Sequence, residues 1–209
     1  MSYSPEDSAW DEAYERMSEE LYPEHRAQAI GEFSHERLRS FYVKEPDILV
    51  PAARNFKVAK ALLESKQWAG ALVFAASATE LFLKGALLRP VVYGLVHSDA
   101  VAELVVKAAL SQTGFVRYEK LLVGLFQEVA GLDIRTLTRS GTATPLLTEA
   151  SVIQQARNGV VHQGDDVNQE QAEMALAVAG AVFGQVVATV LSELGFDIVK
   201  GGRLVDQEP

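Results

Sequence analysis

Apolar residues recur at helical spacing along most of this 209-residue chain. Between residues 47 and 65 they fall three or four positions apart, which is typical of an amphipathic helix packed on a core. The members of this stripe are Leu49, Ala52, Phe56, Ala59 and Leu63. The other face of the helix is basic, with Arg54, Lys57 and Lys60. Residues 67–88 are more apolar, and we expect them to form a second helix that Pro90 ends.

The helical pattern continues over residues 97–110 and 115–129, with a turn at residues 112–114 and a stop at Gly131. A polar loop is predicted for residues 138–145. There Thr144 is expected to cap the next helix, and Pro145 is expected to be its first residue. The stripe of that helix, which we expect to face the core, is Leu146, Ala150, Ile153, Ala156 and Val160. The Gly164-Asp165-Asp166 sequence then predicts a turn.

The last long helix is predicted to begin at Asn168, with Gln171 completing a capping box, and to stop at Gly195. Residues 174–191 approach membrane-spanning length, but Gln185 and Thr189 interrupt the apolar run, and we interpret it as a buried core helix. The tail after residue 195 predicts a small β-hairpin that turns at residues 201–202.

These elements predict an all-α protein, an antiparallel helical bundle with short connections. We divide the chain into an acidic helical extension (1–46), the bundle (47–195) and a tail with a possible β-hairpin (196–209). Within the extension, residues 6–21 and 24–43 have helix-favouring composition and charged faces.

Composition narrows the possible functions. The chain has no cysteine, which excludes disulfides, thiol catalysis and thiolate metal sites. Its formal net charge of −9 argues against a general nucleic-acid-coating surface, although a local basic cleft is compatible with it. The first residues lack the basic start and apolar stretch of a secretory signal, so we expect a cytoplasmic protein without a membrane segment.

The segment RNGVVH, residues 157–162, is the strongest candidate for chemistry. Asn158 and His162 are four residues apart on one helix face, and the long side chain of Arg157 can reach the same place. Histidine can take or give a proton near neutral pH, and arginine presents a planar fork of donors to phosphate oxygens. Gly159 is expected to keep this turn free of bulk, so that a substrate or another chain can approach. The trio suits RNA cleavage by 2′-hydroxyl attack.

On this motif the chain resembles the HEPN superfamily, a helical-bundle family in which many members are metal-independent ribonucleases built around Arg, four to six residues, then His. The resemblance covers about residues 47–194. It implies that Arg157 and His162 are the catalytic pair, that Asn158 supports them, and that the site forms at a homodimer interface. Some relatives also place Glu and Lys four apart near the site. Glu80 and Lys84 match that spacing as candidate substrate-binding residues, and an ordinary intrahelical ion pair explains them equally well.

The resemblance implies a toxin or defence effector that needs no cofactor and no metal, with RNA as substrate and an antitoxin or regulatory protein as a partner. Two alternatives stay open. One is a non-catalytic HEPN-like dimer that binds RNA, a nucleotide or a protein. The other is a carboxylate-bridged metal protein, suggested by the Glu32-x-x-His35 spacing, for which a second such motif would be needed.

Overall fold

The computed structural model describes residues 35–95 and 115–207. The chain forms two units, Met1–Arg37 and Leu38–Pro209, and the account below concerns the second. The predicted helices at 6–21 and 97–110 and the turn at 112–114 lie outside the described residues. Of the predicted helix at 24–43, the described part is helical and continues to residue 44.

The described chain is mostly helical, with one small antiparallel sheet, as the sequence predicts. Its helices are α1 (35–44), α2 (Val50–Glu64), α3 (Trp68–Leu83), α4 (Arg89–Leu95), α5 (Phe115–Ala130), α6 (Leu146–Gln163), α7 (Gln169–Ala181) and α8 (Ala188–Glu193). Two π-helical segments, Lys84–Leu88 and Val182–Val187, make α3–α4 and α7–α8 continuous. The strands are β1 (Phe196–Val199) and β2 (Arg203–Asp206).

The core lies where α3 packs against α2, α6 and α7. Small residues on the facing surfaces let these helices approach closely, because alanine adds little bulk between two backbones. Fully or almost fully buried alanines on α2, α3 and α7 include Ala52, Ala59, Ala71, Ala75, Ala78, Ala172, Ala175 and Ala179. The predicted stripe of α6 does face the core, with its first three members buried and its last two partly buried.

The helix that begins near residue 67 does not end at Pro90, so that prediction is wrong. It continues through the first π segment and α4 to Leu95. In a regular α-helix the N–H of residue 90 would bond the carbonyl of Ala86, and proline has no N–H. The buried hydroxyl of Tyr42 donates a hydrogen bond to that carbonyl instead. The π turn and the tyrosine together accommodate the proline inside the helix.

The predicted cap of α6 is also wrong. Pro145, not Thr144, is the N-cap residue, and no side chain caps the helix. Thr138 and Pro145 form an isolated β-bridge, and the N–H of Leu146 bonds the carbonyl of Leu137 at 2.7 Å. The loop backbone therefore satisfies a donor that a side-chain cap would otherwise have bonded.

Other boundaries follow the sequence prediction. Asn168 and Gln171 form the capping box at the start of α7. Positive φ angles at Gly131, Gly164 and Gly195 mark the ends of α5, α6 and α8. Each of these positions needs a left-handed backbone that glycine adopts at little cost.

The predicted hairpin is present, with Phe196 paired to Asp206 and Val199 to Arg203. Its turn packs on α2, and the N–H of Leu204 bonds the carbonyl of Pro46 at 2.8 Å. Phe196 and Leu204 belong to the same core as the helices. The hairpin, within residues 196–207, thus belongs to the same core as the helices, and so do Leu38 and Tyr42, which precede residue 47.

Two helical stretches, Trp68–Tyr93 and Gln169–Glu193, are long and apolar enough to cross a membrane. Core helices of soluble proteins share this composition, so the observation is weak evidence for a membrane span. Of the most apolar windows, 65% and 44% respectively are buried within the protein itself.

Candidate functional site

Helix α6 carries the whole RNGVVH motif in its last two turns. The core stripe fixes how the helix is rotated, so the opposite surface faces outward. Gly164, with φ +74°, ends the helix, and its N–H bonds the carbonyl of Gly159. His162 is in the last turn, where a cationic imidazole interacts favourably with the negative end of the helix dipole.

The three candidate residues have different exposures. Arg157 and Asn158 are half-buried, and His162 is exposed. Arg157 Nη1 donates a hydrogen bond to Asn158 Oδ1 at 3.0 Å. Within residues 35–95 and 115–207, neither Arg157 nor His162 forms an ion pair with a carboxylate. The guanidinium and the imidazole are therefore both available to an added ligand.

The space at Gly159 is not open, contrary to the expectation from sequence. The Asp165 side chain folds back over the helix, and a Cβ added to Gly159 would overlap Asp165 Oδ2. The N–H of Asp165 also bonds the Gly159 carbonyl, at 3.3 Å. A carboxylate of the same chain therefore lies where a side chain at residue 159 would project.

Glu80 and Lys84 form the predicted i,i+4 ion pair on the long α3 helix. Their side chains are 24% and 13% exposed, so the pair lies at the packed surface of the helix rather than in solvent. The second carboxylate oxygen, Glu80 Oε2, accepts a hydrogen bond from Gln154 Nε2 of α6 at 3.4 Å. Gln154 precedes Asn158 by one helical turn. The structure thus links the pair to the helix that bears the motif.

Sequence analysis did not identify Gln154. It is only 9% exposed, one of few buried polar residues in the described chain. Its spacing of four from Asn158 was visible in the sequence, but its partner on α3 is distant along the chain and becomes apparent only when the two helices pack.

Another buried polar residue, Glu149, anchors the loop before α6. Its side chain is 3% exposed, and both carboxylate oxygens accept from Arg139 Nε, at 2.9 and 3.1 Å. Glu149 also lies in the first turn of α6, where a negative charge interacts favourably with the positive end of the helix dipole. This ion pair holds the loop that bonds the start of the helix, and it lies near the opposite end from the motif.

The described residues contain no group of three or more His, Asp or Glu side chains that could hold a metal ion. His35, from the Glu32-x-x-His35 spacing, is exposed, and Glu32 lies outside the described residues. Two cavities, of about 450 and 280 Å³, are lined by other parts of the fold, and none of the three motif residues is among their lining residues. Among the described residues, the motif is exposed at His162 and half-buried at Arg157 and Asn158.

This arrangement can bind an anion through Arg157 and exchange a proton at His162, with Asn158 orienting one of the two. Comparisons with family models, with curated proteins and with solved structures find no match for this chain.

Proposed function

We propose that this protein is a metal-independent endoribonuclease built on a HEPN-like bundle. The observation that carries the proposal is the arrangement on α6, where a half-buried Arg157–Asn158 pair and an exposed His162 share the end of one helix. These groups can bind a phosphate and transfer a proton without a metal ion.

In the proposed reaction the 2′-hydroxyl of a ribose attacks the adjacent phosphorus. His162 takes the hydroxyl proton, the O2′–P bond forms, and the P–O5′ bond breaks. The leaving 5′-oxygen takes a proton from an acid, and the products are a cyclic phosphate and a 5′-hydroxyl. Arg157 bonds the phosphate oxygens as their charge grows in the transition state, and Asn158 orients the guanidinium.

One histidine does not readily serve as base and acid at once, so the proposed site contains two copies of the motif in a homodimer. The exposure of His162 is consistent with a second chain covering it. Val161, next to it, is 48% exposed, and an interface at this end of the helix would bury it. A cytoplasmic toxin or defence role, restrained by an antitoxin or regulatory protein, is part of the proposal.

A non-catalytic module that binds RNA, a nucleotide or a protein is the competing proposal. The Asp165 carboxylate beside the motif favours its protein-binding form, because a carboxylate repels a phosphodiester. RNA cleavage distinguishes the two proposals, because only the nuclease breaks the RNA chain.

The test is incubation of purified protein with single-stranded RNA in EDTA. We expect cleavage by the wild-type protein, and a rate lower by about 10²–10⁴-fold for His162→Ala. His35→Ala is the matched control, because it removes another exposed histidine and should leave the rate unchanged. RNA binding without cleavage supports the module instead, and equal cleavage by His162→Ala contradicts the assignment of the site.

A further inference from the structure

Gln154 is a buried amide at the α3–α6 contact whose hydrogen bonds are only partly satisfied. Its Nε2 donates to Glu80 Oε2 at 3.4 Å, and the other oxygen of Glu80 bonds Lys84. Within residues 35–95 and 115–207, Glu80 is the one hydrogen-bond partner of the Gln154 side chain. The amide oxygen, Gln154 Oε1, therefore remains as an acceptor in a side chain that is only 9% exposed. Buried polar groups are usually bonded, so this acceptor needs a donor.

A donor lies one turn further along α6. Asn158 uses its Oδ1 to accept from Arg157, and within the described chain its Nδ2 has no acceptor. Residues four apart on a helix have Cβ atoms about 5–6 Å apart, within reach of an amide–amide hydrogen bond. Because Glu80 holds the Nε2 end of Gln154, the oxygen end is directed away from Glu80.

The backbone on the α3 side is also unusual at this point. Lys84 is the first residue of the π segment Lys84–Leu88, and π-helical turns inside α-helices occur frequently at functional sites. The segment follows directly after the turn that carries Glu80. The irregular turn and the buried polar residues coincide at the place where α3 meets the motif helix.

We infer that Gln154 is a positioning residue for Asn158, an inference that rests on the endoribonuclease proposed above. When substrate is bound, Gln154 Oε1 accepts from Asn158 Nδ2. This fixes the Asn158 amide with Oδ1 toward Arg157, and the guanidinium is held in the orientation that the phosphate requires. Glu80 and Lys84 then act by holding Gln154, and neither residue has to touch the RNA.

The experiment compares Gln154→Met with Gln155→Met in the RNA cleavage assay. The two substitutions are chemically identical at adjacent positions, but residue 155 is exposed and residue 154 is buried. Methionine keeps the length of glutamine and removes both amide groups. We expect Gln154→Met to lower kcat by on the order of 10-fold, the scale of losing one hydrogen bond in the transition state. KM should change little, and Gln155→Met should behave as wild type.

A merely structural role would lower the melting temperature without lowering kcat per folded molecule. We therefore measure the melting temperature and kcat of Gln154→Met, of Glu80→Gln and of the double variant that carries both substitutions. A loss in kcat for the double variant that is smaller than the sum of the two single losses, each expressed as a free energy, supports the linked network.

Wild-type kcat for Gln154→Met in folded protein overturns the role of Gln154, while the nuclease proposal stands. Absence of cleavage by the wild-type protein in the same assay overturns both.

Discussion

At the scale of single residues, Gly159 lies inside a helix and in contact with Asp165. Glycine in a helix interior costs about 1 kcal/mol relative to alanine. Here the Asp165 carboxylate lies where an alanine methyl would project, so alanine gains its usual advantage only after this exposed side chain has moved away.

This contact predicts that the effect of Gly159→Ala differs between two backgrounds. In Asp165→Ala the substitution should raise the free energy of unfolding by about 0.5–1 kcal/mol, because alanine has the higher helix propensity. In the wild-type chain the gain should be smaller, because the Asp165 carboxylate must first move out of contact. Urea unfolding of the four proteins measures both effects. Equal gains in the two backgrounds would contradict the contact.

Sequence analysis at this scale identified residue types but not all their surroundings. The Glu80–Lys84 ion pair was predicted because its spacing lies within one helix. The position of Asp165 was not, because it depends on how the turn after α6 folds back. Gln154 was missed for a similar reason, since only tertiary packing brings it to Glu80.

At the scale of elements, the long helix from Trp68 to Leu95 depends on a residue outside it. Tyr42 supplies the hydrogen bond to Ala86 that Pro90 does not. Periodicity and capping signals predicted most helix ends correctly, because those signals are local. Pro90 failed as a stop signal because the compensating donor comes from another helix.

A double-variant cycle tests this compensation. Tyr42→Phe removes the hydroxyl that donates to the buried Ala86 carbonyl, and it should lower the free energy of unfolding by about 1–3 kcal/mol. In Pro90→Ala the loss should be smaller, because the new N–H at residue 90 can bond the Ala86 carbonyl. Equal losses in both backgrounds would show that Tyr42 does not replace the missing donor.

The same tyrosine predicts a pH dependence. Burial raises the pKa of Tyr42 far above its usual value, so the folded protein keeps the phenolic proton where the unfolded chain loses it. Its contribution to stability is complete below about pH 10 and falls above that by about 1.4 kcal/mol per pH unit. Urea unfolding at increasing pH should therefore show a steeper decline for the wild-type protein than for Tyr42→Phe. Parallel declines would contradict the burial of the phenol.

At the scale of the whole molecule, the net charge disfavours RNA binding, whereas the motif favours it. A charge of −9 opposes association with RNA, while the motif provides an arginine and a histidine at one helix end. A dimer would bring two copies of Arg157 to one substrate, and it would also bring two copies of Asp165 and twice the net negative charge. The proposed two-chain site therefore depends on the need for both a base and an acid rather than on charge.

Mixing wild-type and His162→Ala subunits tests that arrangement. If each site needs histidines from both chains, activity after subunit exchange should fall as the square of the wild-type fraction, because mixed dimers lack either the base or the acid. If each chain works alone, activity should fall in direct proportion. Cleavage rates across a series of mixing ratios distinguish the two, and a linear dependence would contradict the shared site.

The most direct measurement of the central claim is the chemical identity of the RNA ends after incubation in EDTA. Attack by the 2′-hydroxyl predicts a cyclic phosphate on one fragment and a 5′-hydroxyl on the other. Mass spectrometry of a cleaved oligonucleotide should find both with the wild-type protein and neither with His162→Ala. Fragments with 5′-phosphate ends, or intact RNA after incubation with the wild-type protein, would contradict the claim.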